Sequence, residues 1–187
     1  MYDEETQNEI RNLARHLHIS IRYHAKRQRF FANFHRLVVT SNAILGTSSF
    51  VLLLGNFKIA LLTTGMLAIM STLDLVLQFA QNSELHKNLR CQFIDLIKEI
   101  NAEEKTLKDF KDKNFSIEKD EPATLKGLCM ICHNEHFKAI GEEEMIYEIP
   151  FRVKLLKHFW SFDNLIFEKL PTTPTIDKDG WGVEHRT

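Results

Sequence analysis

The sequence predicts an all-α chain: a two-helix transmembrane hairpin carrying long cytoplasmic helical extensions and assembling as a homo-oligomer. Three observations carry this expectation. From Leu37 to Phe57 there is no charged residue, and from Ile59 to Ser83 there is only Asp74. The two apolar runs are separated only by Gly55-Asn56-Phe57-Lys58, so consecutive helices must return alongside each other. The flanking segments are densely charged and show helical periodicity. Uncharged runs of this length exceed ordinary core helices. The competing reading is a soluble helical pair buried in a core, and a requirement for detergent separates the two.

Residues 1–36 read as a cytoplasmic helix. They contain no proline or glycine, and Ile10, Leu13, Leu17, Ile21 and His24 recur at three- and four-residue steps. Residues 37–54 form the first span, roughly 27 Å at the helical rise, which matches a bilayer's hydrocarbon thickness. Residues 55–58 form the turn and 59–81 the second span. Arg and Lys crowd the segment before the first span, the turn has only Lys58, and His86, Lys87 and Arg90 follow the second. Positive residues favour the cytoplasmic side, so both termini are expected there in a multi-pass topology. The second span has no breaker at its end. Leu85, Leu89, Phe93, Leu96, Ile97, Ile100, Leu107 and Phe110 continue an apolar stripe near heptad spacing. One helix is therefore expected to run on to about Lys113, projecting roughly 45 Å from the membrane. The stripe requires a partner, either the N-terminal helix, another subunit or both. Residues 114–122 are a polar break, 123–170 hold further cytoplasmic helices bounded at Pro150, and 171–187 form a tail, all in a single domain.

Composition bounds the function. The chain has 187 residues and a formal net charge of −1, so global charge points to no nucleic-acid partner. The three cysteines, Cys91, Cys129 and Cys132, are too few and odd in number for a disulfide framework and fit a reducing compartment. No secretory signal is expected from the polar N-terminus. No phosphate-binding glycine loop, zinc-protease helix or nucleophile elbow occurs, so neither an enzyme nor a cofactor is expected.

The candidate site residues lie in and beside the spans. Thr40, Ser41, Asn42, Gly46, Thr47, Ser48, Ser49, Thr63, Thr64, Gly65, Ala68, Ser71 and Thr72 make these helices rich in small and hydroxylated side chains. Such residues serve close packing between helices or line a water-filled pore. A carboxylate within a span costs a few kcal/mol, so Asp74 must find a partner or a cavity. It either reaches the headgroups and bonds to Asn42 or Ser41, or contributes to a cation-attracting ring. An ion pathway would comprise Asp74, Gln78, Thr63, Met70 and Asn42. The basic residues Arg22, Lys26, Arg27 and Arg29 either anchor anionic lipid headgroups or, repeated around an oligomer, bind a nucleotide or other anion. Cys129-Met-Ile-Cys132-His133 with His136 has a haem- or zinc-like spacing, but adjacent Cys132 and His133 point to different helix faces, which favours structural cysteines over a metal.

The order of parts, with Ala25-Lys-Arg-Gln-Arg-Phe-Phe31, the apolar pair through Gln81, Cys132-His-Asn-Glu135 and Tyr147-Glu-Ile-Pro150, resembles the SLATT domains. These are two-transmembrane effectors of bacterial conflict systems. The resemblance covers about residues 10 to 170 and is architectural. It implies a pore-forming antiphage effector in the bacterial inner membrane, a homo-oligomer for which a tetramer is one arrangement. It also implies gating by a nucleotide or oligonucleotide from a partner nucleotidyltransferase. Inorganic ions flowing through the pore would depolarise the membrane and arrest growth. The second reading, from another class, is a membrane-anchored scaffold that binds a partner protein and conducts nothing.

Overall fold

The computed structural model describes residues 3–102 and 106–170, with the backbone alone for 49–54. The tail expected at 171–187 lies outside the described residues. Six α-helices follow in order: α1 Glu4–Gly55, α2 Phe57–Leu77, α3 Phe79–Ala102, α4 Leu107–Glu118, α5 Lys126–Ile140 and α6 Phe151–Leu156, with a 3-10 turn at Glu143–Met145. The chain is all-helical, with no strand among the described residues.

The N-terminal segment and the first apolar run form one helix of 52 residues. The reversal that follows is tighter than expected. Only Asn56 is non-helical, and its side chain caps α2 by accepting from the Ile59 amide. From there α2 and α3 return along α1, as the pairs Asn42–Ser71, His35–Asp74, Ser83–Gln28 and His24–His86 show.

The single helix expected from residue 59 to about Lys113 is interrupted twice. Gln78 takes a left-handed conformation, φ 47° and ψ 48°, and separates α2 from α3. A non-glycine residue in that region costs about 1–2 kcal/mol. The cost is offset locally. Asn82 donates its side-chain amide to the Leu77 carbonyl, and Phe79 is buried among Phe31, Val38 and Met70. The second interruption follows Ala102. Thr106 caps α4 through a reciprocal box with Asp109, which starts a new helix where the apolar spacing suggested continuation. Consequently α4 folds back beside α3, where Lys113 pairs with Glu99, and runs parallel to α1, where Lys111 pairs with Glu9 and His16 with Glu118. The 45 Å projection is replaced by a packed helical body. Leu17, Leu89, Phe93, Leu96, Ile100, Phe110 and Ile117 form its core, so the partner of the long stripe is α1 of the same chain.

Helix α5 docks on another face of α1. Tyr23, Leu128 and Cys132 bury together, and the Tyr23 hydroxyl accepts from the Leu125 amide. The expected helices over 123–170 are only partly realised. Gly141 ends α5 at φ 79°, α6 has six residues after Pro150, and the rest to Leu170 is irregular. Asn134 organises this segment by holding both the amide and the carbonyl of Tyr147. Gly127 lets it approach. The Gly127 amide donates to the Ser161 carbonyl at 3.0 Å, and a Cβ there would stand 2.8 Å from Val153 Cγ1. Gly127→Ala is expected to loosen residues 150–165 from α5 at a cost of about 1–3 kcal/mol. Limited proteolysis should then cleave that segment faster than in the native chain.

One helix among the described residues, beginning at Phe57, is long and apolar enough to cross a membrane. Only 6% of its apolar window is buried. Leu61, Leu62, Ile69, Leu75 and Val76 are all exposed, as are Leu37, Val39 and Ile44 on α1. Continuous uncovered apolar surface of this kind marks a membrane or an interface. Within one chain, α2 is therefore not the buried core helix that the soluble reading required.

Candidate functional site

The face that α2 turns to α1 carries Ala60, Thr63, Leu67, Met70 and Asp74 at three- and four-residue steps. Three of the residues expected in an ion pathway thus share the seam between the two helices. Asp74 is half-buried there, its Oδ1 3.4 Å from His35 Nδ1. The expected partners were Asn42 or Ser41. Instead Asn42 donates to the Ser71 hydroxyl at 3.1 Å, and its own Oδ1 is buried without a partner. Thr63 turns its hydroxyl back onto the carbonyls of Ile59 and Ala60. Met70 packs against the Phe31, Val38 and Phe79 cluster. Gln78 is exposed and stands apart from the seam at the interruption between α2 and α3.

The four basic candidates divide among three faces of α1. Lys26 Nζ lies 2.8 Å from Glu135 of α5. Arg22 is half-buried on that same side, close enough to lower the pKa of His18 after burial has done so. Arg29 is exposed. Arg27 serves a different side. Its guanidinium lies 4.4 Å from the Phe31 ring centre and donates to the His158 carbonyl at 2.9 Å. Within one chain these four residues form no common anion pocket.

The structure adds a polar chain that periodicity alone did not reveal. His24 and His86 are both 1% exposed and face each other Nδ1 to Nδ1 at 2.8 Å. His24 Nε2 is 2.8 Å from Glu121, which stands in the loop before α5. The carboxylate accepts the Nε2 proton of His24, and only one of the two Nδ1 atoms can carry a proton. Burial, then the neighbouring His24 and Arg27, push the pKa of His86 down to about 3. His86 is therefore uncharged at neutral pH and adds nothing to the positive charge expected after residue 81. His24 already sat on the apolar stripe of α1, but its partners are 62 and 97 residues away. No local pattern marks such a pairing.

The Cys-His motif packs against α1. Cys132 is fully buried, and desolvation pushes its thiol up to about 12. His136 stacks on His18 with ring centres 5.5 Å apart, and His133 lies on Phe137. Among the described residues no three His, Cys, Asp or Glu side chains are grouped to hold a metal.

No protein-family model matches the chain, and no curated protein and no solved structure is significantly similar to it.

Proposed function

We propose that the chain is a two-span membrane effector of bacterial antiphage defence, with both termini cytoplasmic. Copies of it assemble around an ion pathway that a nucleotide signal controls. The observation that carries the proposal is the uncovered apolar surface of α2 and the adjoining part of α1, with a carboxylate-histidine pair held at its cytoplasmic end. The resemblance to SLATT domains supports the same role and supplies the expected signal, a product of a partner nucleotidyltransferase. Gly65, Ala68 and Thr72 lie exposed on one side of α2, where small residues permit another copy to approach closely. The signal would act on the cytoplasmic body and reach the spans through the interruption at Gln78. Because the basic residues are divided within one chain, an anion site built from them needs contributions from more than one subunit.

Purified protein in liposomes should pass ions, and candidate nucleotides should change the flux. Asp74→Asn should lower cation-over-anion preference by about tenfold, the equivalent of about 1.4 kcal/mol. Unchanged selectivity removes Asp74 from the pathway. A second reading, a membrane-anchored scaffold, is favoured by the orientation of Thr63, Met70 and Asp74 toward α1 of their own chain. Flux that stays at background with every nucleotide, in vesicles that contain inserted protein, would establish the scaffold instead.

A further inference from the structure

A cleft of about 500 Å³ opens where the apolar surface meets the cytoplasmic body. Its walls include Phe30 and Phe34 of α1, Met70 and Leu73 of α2, Phe79 of α3 and Phe159 after α6. The volume falls in the range of small-molecule sites, about 300–1,000 Å³. Its polarity is graded. Leu37, Leu73 and Leu77 border the exposed apolar side, and Arg27 lines the other side, about ten residues earlier on α1 and so roughly 15 Å away.

The charge at the polar side is unbalanced. Among the described residues Arg27 pairs with no carboxylate, and its Nε is buried without a hydrogen-bond partner, as is His158 Nδ1 beside it. Burial, then Arg27, Lys157 and Lys26, push the pKa of His158 down to about 4, and no acid acts against them. Lys26 is paired to Glu135, which leaves Arg27 as the cation of the cleft lining without a carboxylate partner among the described residues. Phe159 and Trp160 are exposed next to the cleft, and Phe159 meets the Phe30 ring edge-on at 5.2 Å. Aromatic side chains in this position, with basic neighbours, suit the headgroup region of a bilayer.

We propose that this cleft binds one anionic phospholipid of the cytoplasmic leaflet, its acyl chain among the phenylalanines and its phosphate at Arg27. The proposal rests on the membrane reading above. It commits to a lipid because the apolar part of the cleft is the larger and continues the surface that would face hydrocarbon. A small soluble anion would leave that part empty.

The test uses the full chain carrying Trp181→Phe, so that Trp160 is the single tryptophan, in vesicles of phosphatidylcholine with a minor fraction of phosphatidylglycerol. Bromine is placed on the acyl chains of one lipid at a time. Brominated phosphatidylglycerol should quench Trp160 at about tenfold lower mole fraction than brominated phosphatidylcholine, the size expected for one charge-assisted contact. Arg27→Gln should abolish the preference, and Met70→Phe, which fills the cleft, should weaken quenching by both lipids. Equal quenching by the two lipids in the Trp181→Phe chain overturns the proposal without needing either of these variants to fold. Loss of the preference on adding inorganic phosphate overturns it in favour of a small-anion site. Extraction at alkaline pH separates the two levels of failure. Protein released from the vesicles fails the membrane reading, whereas retained protein with no lipid preference fails the cleft alone.

Discussion

Phe93→Ala is expected to cost about 3–5 kcal/mol, the loss typical of emptying a phenylalanine site in a core. Phe93 is 0% exposed and sits where α1, α3 and α4 meet, with Leu17, Leu96 and Phe110 around it. Its ring also stacks on His24 at 5.5 Å, so the truncation removes one wall of the buried histidine pair. Nothing nearby is free to collapse into the space, because Leu17 and Leu96 are themselves at 0% exposure and anchored on rigid helices. Urea unfolding in detergent, followed by far-UV circular dichroism, should show the midpoint fall sharply. The apolar parts of α1 and α2, which lie outside that core, should keep their helical signal. Phe115, on the outer side of α4 and 66% exposed, provides the control, and Phe115→Ala should stay within about 0.5 kcal/mol of the native chain. A loss below about 1 kcal/mol for Phe93→Ala would show that the body is looser than its packing implies.

Acid should destabilise the helical body as pH falls below about 6.5. An unfolded histidine has a pKa near 6.5, whereas His86 in the folded chain is held at about 3. Between those values the unfolded state binds the extra proton, so stability is fully present above about pH 6.5 and declines as pH falls toward 3. The slope is about 1.4 kcal/mol per pH unit for one group, so His86 alone removes about 2 kcal/mol by pH 5. Burial is the main cause: a protonated His86 would carry its charge at a site 1% exposed, beside His24 and Arg27. His158, His18, His133 and His136 are lowered by burial first and add to the same trend. His86→Gln, which retains a hydrogen-bonding amide, should flatten the dependence by about one proton between pH 6.5 and 5. A slope unchanged by that substitution would place the acid sensitivity elsewhere.

Several features were legible because they depend on neighbours three or four residues away. The stripe through Leu13, Leu17 and Ile21 and the one through Leu89, Phe93, Leu96 and Ile100 do pack, and they pack on each other. The apolar length of α2 and the boundary at Pro150 were equally visible. The return of α4 was encoded as Thr106-x-x-Asp109, but the apolar residues Leu107 and Phe110 continue the preceding rhythm and mask the cap. Gln78 is left-handed partly through a local bond, Asn82 to the Leu77 carbonyl. It is also held there by Phe79 burying against Phe31 and Val38, contacts that span more than 40 residues of chain.

The candidate site divides in the same way. Composition singled out Asp74 because a charge in an apolar run is conspicuous wherever it points. Its partner His35, 39 residues earlier, is set by the register of α2 on α1. The basic run was conspicuous as a string, but successive residues on a helix turn by about 100°, so Lys26 and Arg27 were bound to serve different faces. By itself, the sequence determined that the chain is helical, that a stretch of it is apolar enough for a membrane, and that a body rich in charge adjoins it. Those properties are sums over local composition and helical periodicity. Tertiary structure decided that α3 and α4 close on α1 instead of projecting outward, that His24 and His86 share a single Nδ1 proton between them, and that Arg27 lies at one side of an apolar cleft. Each of these depends on which helix faces meet, and hence on packing between residues far apart in the chain.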